Sequence, residues 1–278
     1  MYRRLLSPIS TRSLRRNIVH TASRKMLVIP VPVRSDNYAY LLVDESTKKA
    51  AAVDPYDVKK VDDAALEAGV HIEAIITTHH HHDHSGGNEE FVRKHPGTPV
   101  YGGSKQITAL TKQVKDKDEF TLGNDIKISC LATPCHTQDS ISFFFEDAKT
   151  GQKGVFTGDT LFIAGCGRFF EGTAEDMHNS LSYLGTLPDD TVVYNGHEYT
   201  TASAAFGAHV DPKNEAVQQL RRIAKEGSCT TGKSTIGDEK NWNVFMRLDS
   251  PAVQDFTSSK DPIASLVKLR EAKNVFRG

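Results

Sequence analysis

Five imidazoles and a carboxylate fill six consecutive positions, His79-His80-His81-His82-Asp83-His84, between Thr77-Thr78 and Ser85-Gly86-Gly87-Asn88. Neutral imidazole nitrogen and carboxylate oxygen are the ligands that borderline cations such as zinc and iron take. A purification tag or a low-complexity histidine tract is the plain alternative. A tag belongs at a terminus, and such a tract does not resolve into Asp-His-Ser-Gly-Gly-Asn. A structural zinc site is closed by four ligands and is usually rich in cysteine, whereas this cluster offers histidine and carboxylate only. The residue types therefore point to a metal site that does chemistry.

Elements that would position this chemistry can be read from the pattern around it. Ile72–Thr77 is a β-branched, apolar run that feeds directly into the histidine cluster. The same grammar recurs three times. Residues 126–131 run into Thr133-Pro134-Cys135-His136-Thr137, residues 154–157 into Gly158-Asp159-Thr160, and residues 191–194 into Asn195-Gly196-His197-Glu198-Tyr199. Loops at strand ends hold side chains on a rigid scaffold while leaving them open to solvent. A single His or Asp after a strand means little; four such loops, one of them a ligand cluster, imply convergence. Cys135 beside His136 raises a Cys/His nucleophile, but a small buried thiol next to a ligand is the reading preferred.

Further strands are expected over 27–31 and 38–43, with Ser35-Asp36-Asn37 as the turn between them, and over 50–53, ending at the turn signal Asp54-Pro55. Residues 58–68 show helical spacing and stop at Gly69. Alternating strands and helices indicate an α/β layered domain. Beyond Tyr199 the pattern changes. Ala216, Val217, Leu220 and Ile223 follow helical spacing, 227–238 reads as a loop, and Ile263 to Phe276 as a basic helix with Ala264, Leu266, Val267 and Leu269 on or near its apolar side. The organisation expected is residues 1–25 as a leader, 26–199 as the catalytic domain, and 200–278 as a smaller helical domain.

At 278 residues the chain is long enough to bury a full core. No apolar run approaches bilayer length, so no transmembrane helix or integral membrane association is expected. Cys130, Cys135, Cys166 and Cys229 are irregularly spaced and form no C-x-x-C pair, which argues for a reducing compartment without a disulfide framework. Residues 1–25 hold Arg3, Arg4, Arg12, Arg15, Arg16, Arg24 and Lys25 among serines and threonines, with no acid before Asp36. That is the composition of a mitochondrial transit peptide, with a disordered basic tail or nucleic-acid arm as the alternative. Delivery to the mitochondrial matrix is the expectation, alongside a cytosolic form starting at Met26. Without those seven cations the formal net charge falls from −1 to −8. An acidic body suits no polyphosphate backbone, so no nucleic-acid partner is expected.

The pattern Thr78-His79-x-His81-x-Asp83-His84, with later single His, Asp and His residues, resembles the metallo-β-lactamase superfamily. Three longer stretches, Leu131 to Thr137, Phe156 to Gly172 and Gly196 to Thr200, resemble the glyoxalase II (hydroxyacylglutathione hydrolase) family, and the resemblance runs from about Met26 to the C-terminus. It implies an α/β fold: a four-layered αββα sandwich holding two divalent metals, followed by a smaller α-helical domain. It further implies that His79, His81 and His136 hold one metal, that Asp83, His84 and His197 hold the other, and that Asp159 bridges them. Zinc is the first expectation, with iron or manganese also compatible with such ligands. His80 and His82 should alternate away from the liganding pair, and His71, His95, His178 and His209 match no ligand position.

The activity implied is thioester hydrolysis of S-D-lactoylglutathione and related 2-hydroxyacylglutathiones to glutathione and a hydroxy acid, the second step of methylglyoxal detoxification. Two cations about 3.5–4 Å apart share a water and acidify it, so a dimetal-bound hydroxide would attack the thioester carbonyl. Asp83 and Asp159 would position metals and nucleophile, and a thiolate leaves without a strong general acid. By position, Arg168, Phe170, His197, Tyr199, Arg270 and Lys273 would meet the substrate. Arg270 and Lys273 lie three apart, on one helical face, though a solvated basic face is the simpler reading of that pair alone. Two residues depart from the family pattern. Phe170 stands where tyrosine is frequent, which removes a hydroxyl, and Val244 stands where proline is common. A monomer is expected. Rival readings are a persulfide dioxygenase of the same fold with a single iron and no C-terminal helical domain, a nuclease of the superfamily, and a metal-binding protein without activity.

Overall fold

The computed structural model describes residues 26–227 and 229–278. The leader read over 1–25 lies outside the described residues. The first sheet has the spatial order β1 (Met26–Pro32), β2 (Tyr38–Asp44), β3 (Lys49–Val53), β4 (His71–Ile76), β5 (Val100–Gly102) and β6 (Lys112–Gln113). Its first three strands pair antiparallel and the remaining pairings are parallel. The second sheet contains β7 (Glu119–Leu122), β8 (Ile126–Ala132), β9 (Ile141–Asp147) and β10 (Lys153–Gly158), joined at β10 by a parallel strand, β13 (Val192–Asn195). Between these last two, β11 (Leu161–Phe162) and β12 (Gly165–Cys166) form a separate hairpin.

Period-two alternation in β2 shows how the layers form. Tyr38, Tyr40 and Leu42 pack between the sheets, against Ile128, Phe143, Phe145 and Phe156. Ala39, Leu41 and Val43 face the other way, against Val58, Val61 and Ala65 of α1 (Val58–Ala68). Those helical residues form one buried stripe. Asp57 caps the helix through the Lys60 N–H, and Gly69 ends it at φ 65°, a conformation that costs a residue with a Cβ. Two short helices follow on this side, α2 (His82–Ser85) and α3 (Asn88–Lys94).

The outer face of the second sheet is covered in the same way. Leu131, Val155 and Val193 pack against Met177, Leu181 and Leu184 of α4 (Ala174–Gly185). A reciprocal capping box between Thr173 and Asp176 starts that helix. The layers therefore run helix, sheet, sheet, helix. This is the four-layered sandwich, and a helical C-terminal region follows it: α5 (Thr200–Val210), α6 (Glu215–Glu226), α7 (Ile236–Trp242), α8 (Pro251–Thr257) and α9 (Pro262–Val275). No helix of the described residues is long and apolar enough to cross a membrane.

Two local expectations need correction. The stretch 227–238 is not loop throughout, because a Thr235/Asp238 capping box and the fully buried Ile236 start α7 inside it. Val267 is 39% exposed although Leu266 and Leu269 are buried, so the apolar side of α9 is narrower than its spacing suggests.

The C-terminal helices also brace the hairpin. Glu239 is fully buried and accepts hydrogen bonds from Ser234 Oγ (2.5 Å), Trp242 Nε1 (2.8 Å), Ala164 N–H (2.9 Å) and Asn243 Nδ2 (2.9 Å). Asn243 also donates to Gly165 O at 3.0 Å. Four donors on one carboxylate satisfy a group whose burial would otherwise be costly. The β11–β12 turn is thereby pinned from behind, and with it the chain that runs on to Phe170.

Phe145 lies fully buried between the two sheets. Phe145→Ala should lower the unfolding free energy by about 3–5 kcal/mol in urea titrations, whereas Leu66→Ala, at a site 82% exposed, should stay within about 0.5 kcal/mol of the parent.

Candidate metal centre

Four strand ends deliver the residues of the cluster. β4 leads to Thr77 through His84, β8 to His136, β10 to Asp159 and β13 to His197. Backbone bonds tie these ends together, one between the two sheets and one within the second. Ile141 N–H donates to Thr78 O, and Gly196 N–H to Gly158 O, each at 2.9 Å. The register of β10 against β13 shifts between Phe156 and Gly158, where Gly158 takes φ 47° and sits against Thr78. That irregularity turns Asp159 out of the strand.

His79, His81 and His136 converge. His81 Nδ1 lies 3.2 Å from His79 Nε2 and 3.1 Å from His136 Nε2. Asp83, His84 and His197 form a second group, with the two imidazole Nε2 atoms 3.3 Å apart and Asp83 Oδ2 at 3.8 and 3.6 Å from them. Asp159 stands between the groups. Its Oδ1 is 3.4 Å from His84 Nε2, and its Oδ2 is 3.4 Å from His136 Nε2 and 3.2 Å from His197 Nε2. All seven residues singled out as ligands in the sequence thus lie together, and His79, His84 and Asp159 also form a set with ligand atoms within 4.8 Å of one another.

This donor set fits cations. Facing imidazole nitrogens cannot all donate to one another, and lone pairs aimed at a common point suit a divalent ion. Asp159 Oδ1 is buried and accepts no hydrogen bond from any described residue, a costly arrangement unless something positive meets it. Titration behaviour agrees. Burial, with neighbouring imidazoles, lowers the affinity of His79, His81 and His136 for protons, which leaves their nitrogens free to ligate. Burial would do the same to His84, but Asp159, Asp54 and Asp83 outweigh it and lift its pKa to about 9. His197 is raised as well, by Asp159 against burial. A pocket of carboxylates that retains a proton on His84 would accept a metal ion in its place. Burial alone would raise Asp159, yet His84 and His197 hold it well below the usual carboxylate range.

The outer partners of these side chains include residues that the sequence reading passed over. Asp54, read only as a turn signal, is buried; it accepts from Thr78 N–H (2.8 Å), Thr78 Oγ1 (2.7 Å) and His84 Nδ1 (2.9 Å). Asp36 accepts from His197 Nδ1 at 2.9 Å, and Asn37 Nδ2 donates to Asp83 Oδ2 at 2.9 Å. Asp and Asn are ordinary turn residues, so their types carried no sign of this. Of the remaining imidazoles, His80 is held by Asp139 at 2.8 Å, and His82 opens α2 with its ring edge-on to Tyr56. His71, His95, His178 and His209 lie outside the cluster; His95 pairs with Asp62 instead. Cys135 is fully buried, and burial pushes its thiol up to about 12, which removes it as a nucleophile.

A cleft of about 520 Å³ opens onto the cluster. Its lining joins His81, Asp83, His136, Asp159 and His197 to Phe162, Cys166, Arg168, Phe170, Tyr199, Arg270 and Lys273. All six residues expected to meet the substrate thus line this cleft, together with Arg277, which the sequence reading did not single out. Arg270 is braced by Cys166 O (2.9 Å) and Asn274 Oδ1 (3.0 Å), and Lys273 by Ala202 O (2.9 Å). Tyr199 stacks on His197 with centroids 4.8 Å apart, and the Phe170 ring, 60% exposed, stands 5.2 Å from His136 and 5.9 Å from His81.

Comparison with known proteins decides the family. The model for the metallo-β-lactamase superfamily matches residues 39–197, and the model for the hydroxyacylglutathione hydrolase C-terminus matches residues 198–276. A cytoplasmic hydroxyacylglutathione hydrolase from Arabidopsis thaliana is 44% identical over 258 residues, spanning 91% of this chain and 100% of its own. The chain belongs to the hydroxyacylglutathione hydrolase family. A probable hydroxyacylglutathione hydrolase from Schizosaccharomyces pombe is 42% identical, with 89% of this chain and 98% of its own covered. Among solved structures, ETHE1 from Myxococcus xanthus superposes with a TM-score of 0.65 at 28% identity, covering 91% of this chain and 93% of its own. That likeness is one of fold, whereas the family assignment rests on both models and on relatives matched over nearly their whole length.

Gly196 lies where the two groups of the cluster meet. A Cβ there would overlap Asp159 Oδ1 and sit 2.9 Å from His84 Cε1. Gly196→Ala should cost about 1–3 kcal/mol and lower the metal content of purified protein, read by thermal unfolding and elemental analysis of the same sample.

Proposed function

We propose that this hydroxyacylglutathione hydrolase acts on S-D-lactoylglutathione and related S-2-hydroxyacylglutathiones, releasing glutathione and a 2-hydroxy acid such as D-lactate. In this reading it serves the second step of methylglyoxal detoxification and works with two divalent ions, zinc first among the candidates. The observation that carries the reading is a single cleft lined both by the His/Asp cluster and by Arg168, Arg270, Lys273 and Arg277. Glutathione carries carboxylates, and these cations supply the charge that an acidic body otherwise lacks.

His79, His81 and His136 would hold one ion, Asp83, His84 and His197 the other, with Asp159 shared. When bound, such a pair supplies a Lewis acid and acidified water. The chain's own contribution is placement. Asp83 and Asp159 would hold the ions, while the cationic residues of α9 would orient the glutathione half, so that the reacting groups would meet in one geometry. The thiolate of glutathione is a good leaving group, so cleavage needs no strong general acid. Phe162, Phe170 and Tyr199 give the cleft apolar walls; at Phe170 no hydroxyl is offered to the substrate. The persulfide dioxygenase reading called for one ion and no C-terminal helical domain, and α5 through α9 count against it. For location, the composition of residues 1–25 supports import into the mitochondrial matrix, with a cytosolic product from Met26 as a second form.

The primary test follows loss of thioester absorbance on S-D-lactoylglutathione, with metal analysis of the same sample. Turnover with two ions per chain is expected. No hydrolysis, or one iron with oxygen consumption on a persulfide, overturns the reading. Asp159→Ala should abolish turnover and release at least one ion. Arg270→Ala combined with Lys273→Ala should raise KM roughly tenfold to a hundredfold, as loss of charged hydrogen bonds predicts, with kcat changed far less.

Burial, and then Arg270, lower the Lys273 pKa to about 8. Only its ammonium form binds a carboxylate. KM should therefore rise as pH climbs through about 8, and Lys273→Arg should move that rise to higher pH.

A further inference from the structure

The two halves of the cluster are not held alike. Behind the first group stand neutral partners: Thr78 Oγ1 at 3.0 Å from His79 Nδ1, and Arg168 O at 3.0 Å from His136 Nδ1. Carboxylates stand behind the second group, Asp54 at 2.9 Å from His84 Nδ1 and Asp36 at 2.9 Å from His197 Nδ1. The third member of that group, Asp83, accepts from the Asn37 amide. Two consecutive residues of the β1–β2 turn thus reach two of its three members.

The turn is itself built to hold station. Its Asn37 is 4% exposed, and Val33 N–H closes it by donating to Asn37 O at 3.1 Å. Backbone bonds then strap it to the loop after β13. Tyr38 N–H donates to Gly196 O at 2.9 Å, and Glu198 N–H to Asp36 O at 2.7 Å, on either side of His197. Glu198 is fixed in turn by Tyr38 Oη at 2.8 Å and by Thr230 N–H at 2.6 Å. One turn of the first sheet therefore sets the position of a residue in the loop after β13 and of one on α2.

We infer that the Asp36–Asn37 turn is a positioning element for the second metal's ligands alone, orienting His197 and Asp83 and strengthening His197 as a donor. This rests on the two-ion reading proposed above. A carboxylate hydrogen-bonded to the far nitrogen of an imidazole fixes its tautomer and ring plane and makes the near nitrogen more basic, worth about 10–100-fold in metal affinity. An amide holding one carboxylate oxygen likewise leaves the other lone pairs aimed at the ion. Neither Asp36 nor Asn37 acts on the first group, whose outer partners belong to other segments. The two ions are consequently held by unlike sites, and damage to this turn separates them.

The test is titration of chelator-stripped protein with Zn2+ and, separately, with Co2+, whose absorption reports on coordination. Wild type, Asp36→Ala, Asp36→Asn, His197→Ala and Asp36→Ala/His197→Ala are compared. Two ions are expected for wild type. Asp36→Ala should weaken one by roughly tenfold to a hundredfold and leave the other at the wild-type affinity, matching the ion retained by His197→Ala. Asp36→Asn, which keeps an acceptor without its charge, should recover part of the loss. In the double variant Asp36→Ala should add nothing to His197→Ala, because its effect passes through that ring. Thermal unfolding of the stripped proteins should differ little between wild type and Asp36→Ala.

Unchanged affinity for both ions in Asp36→Ala, or equal weakening of both, overturns the inference while leaving the two-ion hydrolase intact. So does a loss explained by a lowered unfolding temperature of the stripped protein. Wild type that binds a single ion removes the two-ion reading and this inference together.

Discussion

Seven buried or half-buried side chains meet with nitrogen and oxygen atoms only 3.1–3.8 Å apart, and the rest of the structure answers to that crowding. Imidazoles and carboxylates packed this closely are tolerable only if charge balances and every lone pair meets something positive. The protein meets the demand by dividing the cluster. Three imidazoles lose their protons through burial, while carboxylates surround His84 and His197 and favour their charged forms. Asp159 faces both sets, and its buried Oδ1, which accepts no hydrogen bond from a described residue, marks a place for a cation.

Such an arrangement cannot float on loops. Each ligand-bearing segment leaves the end of a strand whose apolar residues are locked in one of the cores, and cross-sheet backbone bonds set the ends relative to one another. Rigidity of this kind is what a reaction depending on sub-ångström placement requires. The C-terminal helices extend the same principle to the substrate side. Glu239 and Asn243 pin the hairpin that leads to Arg168 and Phe170, and α9 brings Arg270 and Lys273 to the cleft. The helical region thus shapes the cleft in addition to lining it.

Family membership and local geometry carry different parts of the functional account. Relatives matched over nearly their full length give the reaction class. The unlike surroundings of the two ligand groups are a property of this chain's own packing. They follow from which segments lie behind each imidazole, and a motif of liganding residues does not contain that information.

Much of this was legible before any coordinates. Strand positions, the helix ending at Gly69 and the layered α/β class follow from local periodicity and turn chemistry, which the chain carries wherever it folds. The candidate ligands were legible too: the histidine cluster through its residue types, and the full set of seven, with its division into two groups, through the family resemblance. Asp36, Asn37 and Asp54 were not, since the residue types that orient a ligand are the types that make turns. Arg277 was hidden for a related reason: its place in the cleft depends on how α9 docks. By itself, then, the sequence determined which residues can bind a cation and which segments present them. Only the tertiary structure decided what stands behind each of the two groups, because hydrogen bonds between residues as far apart as Asp36 and His197 exist only once both sheets are packed.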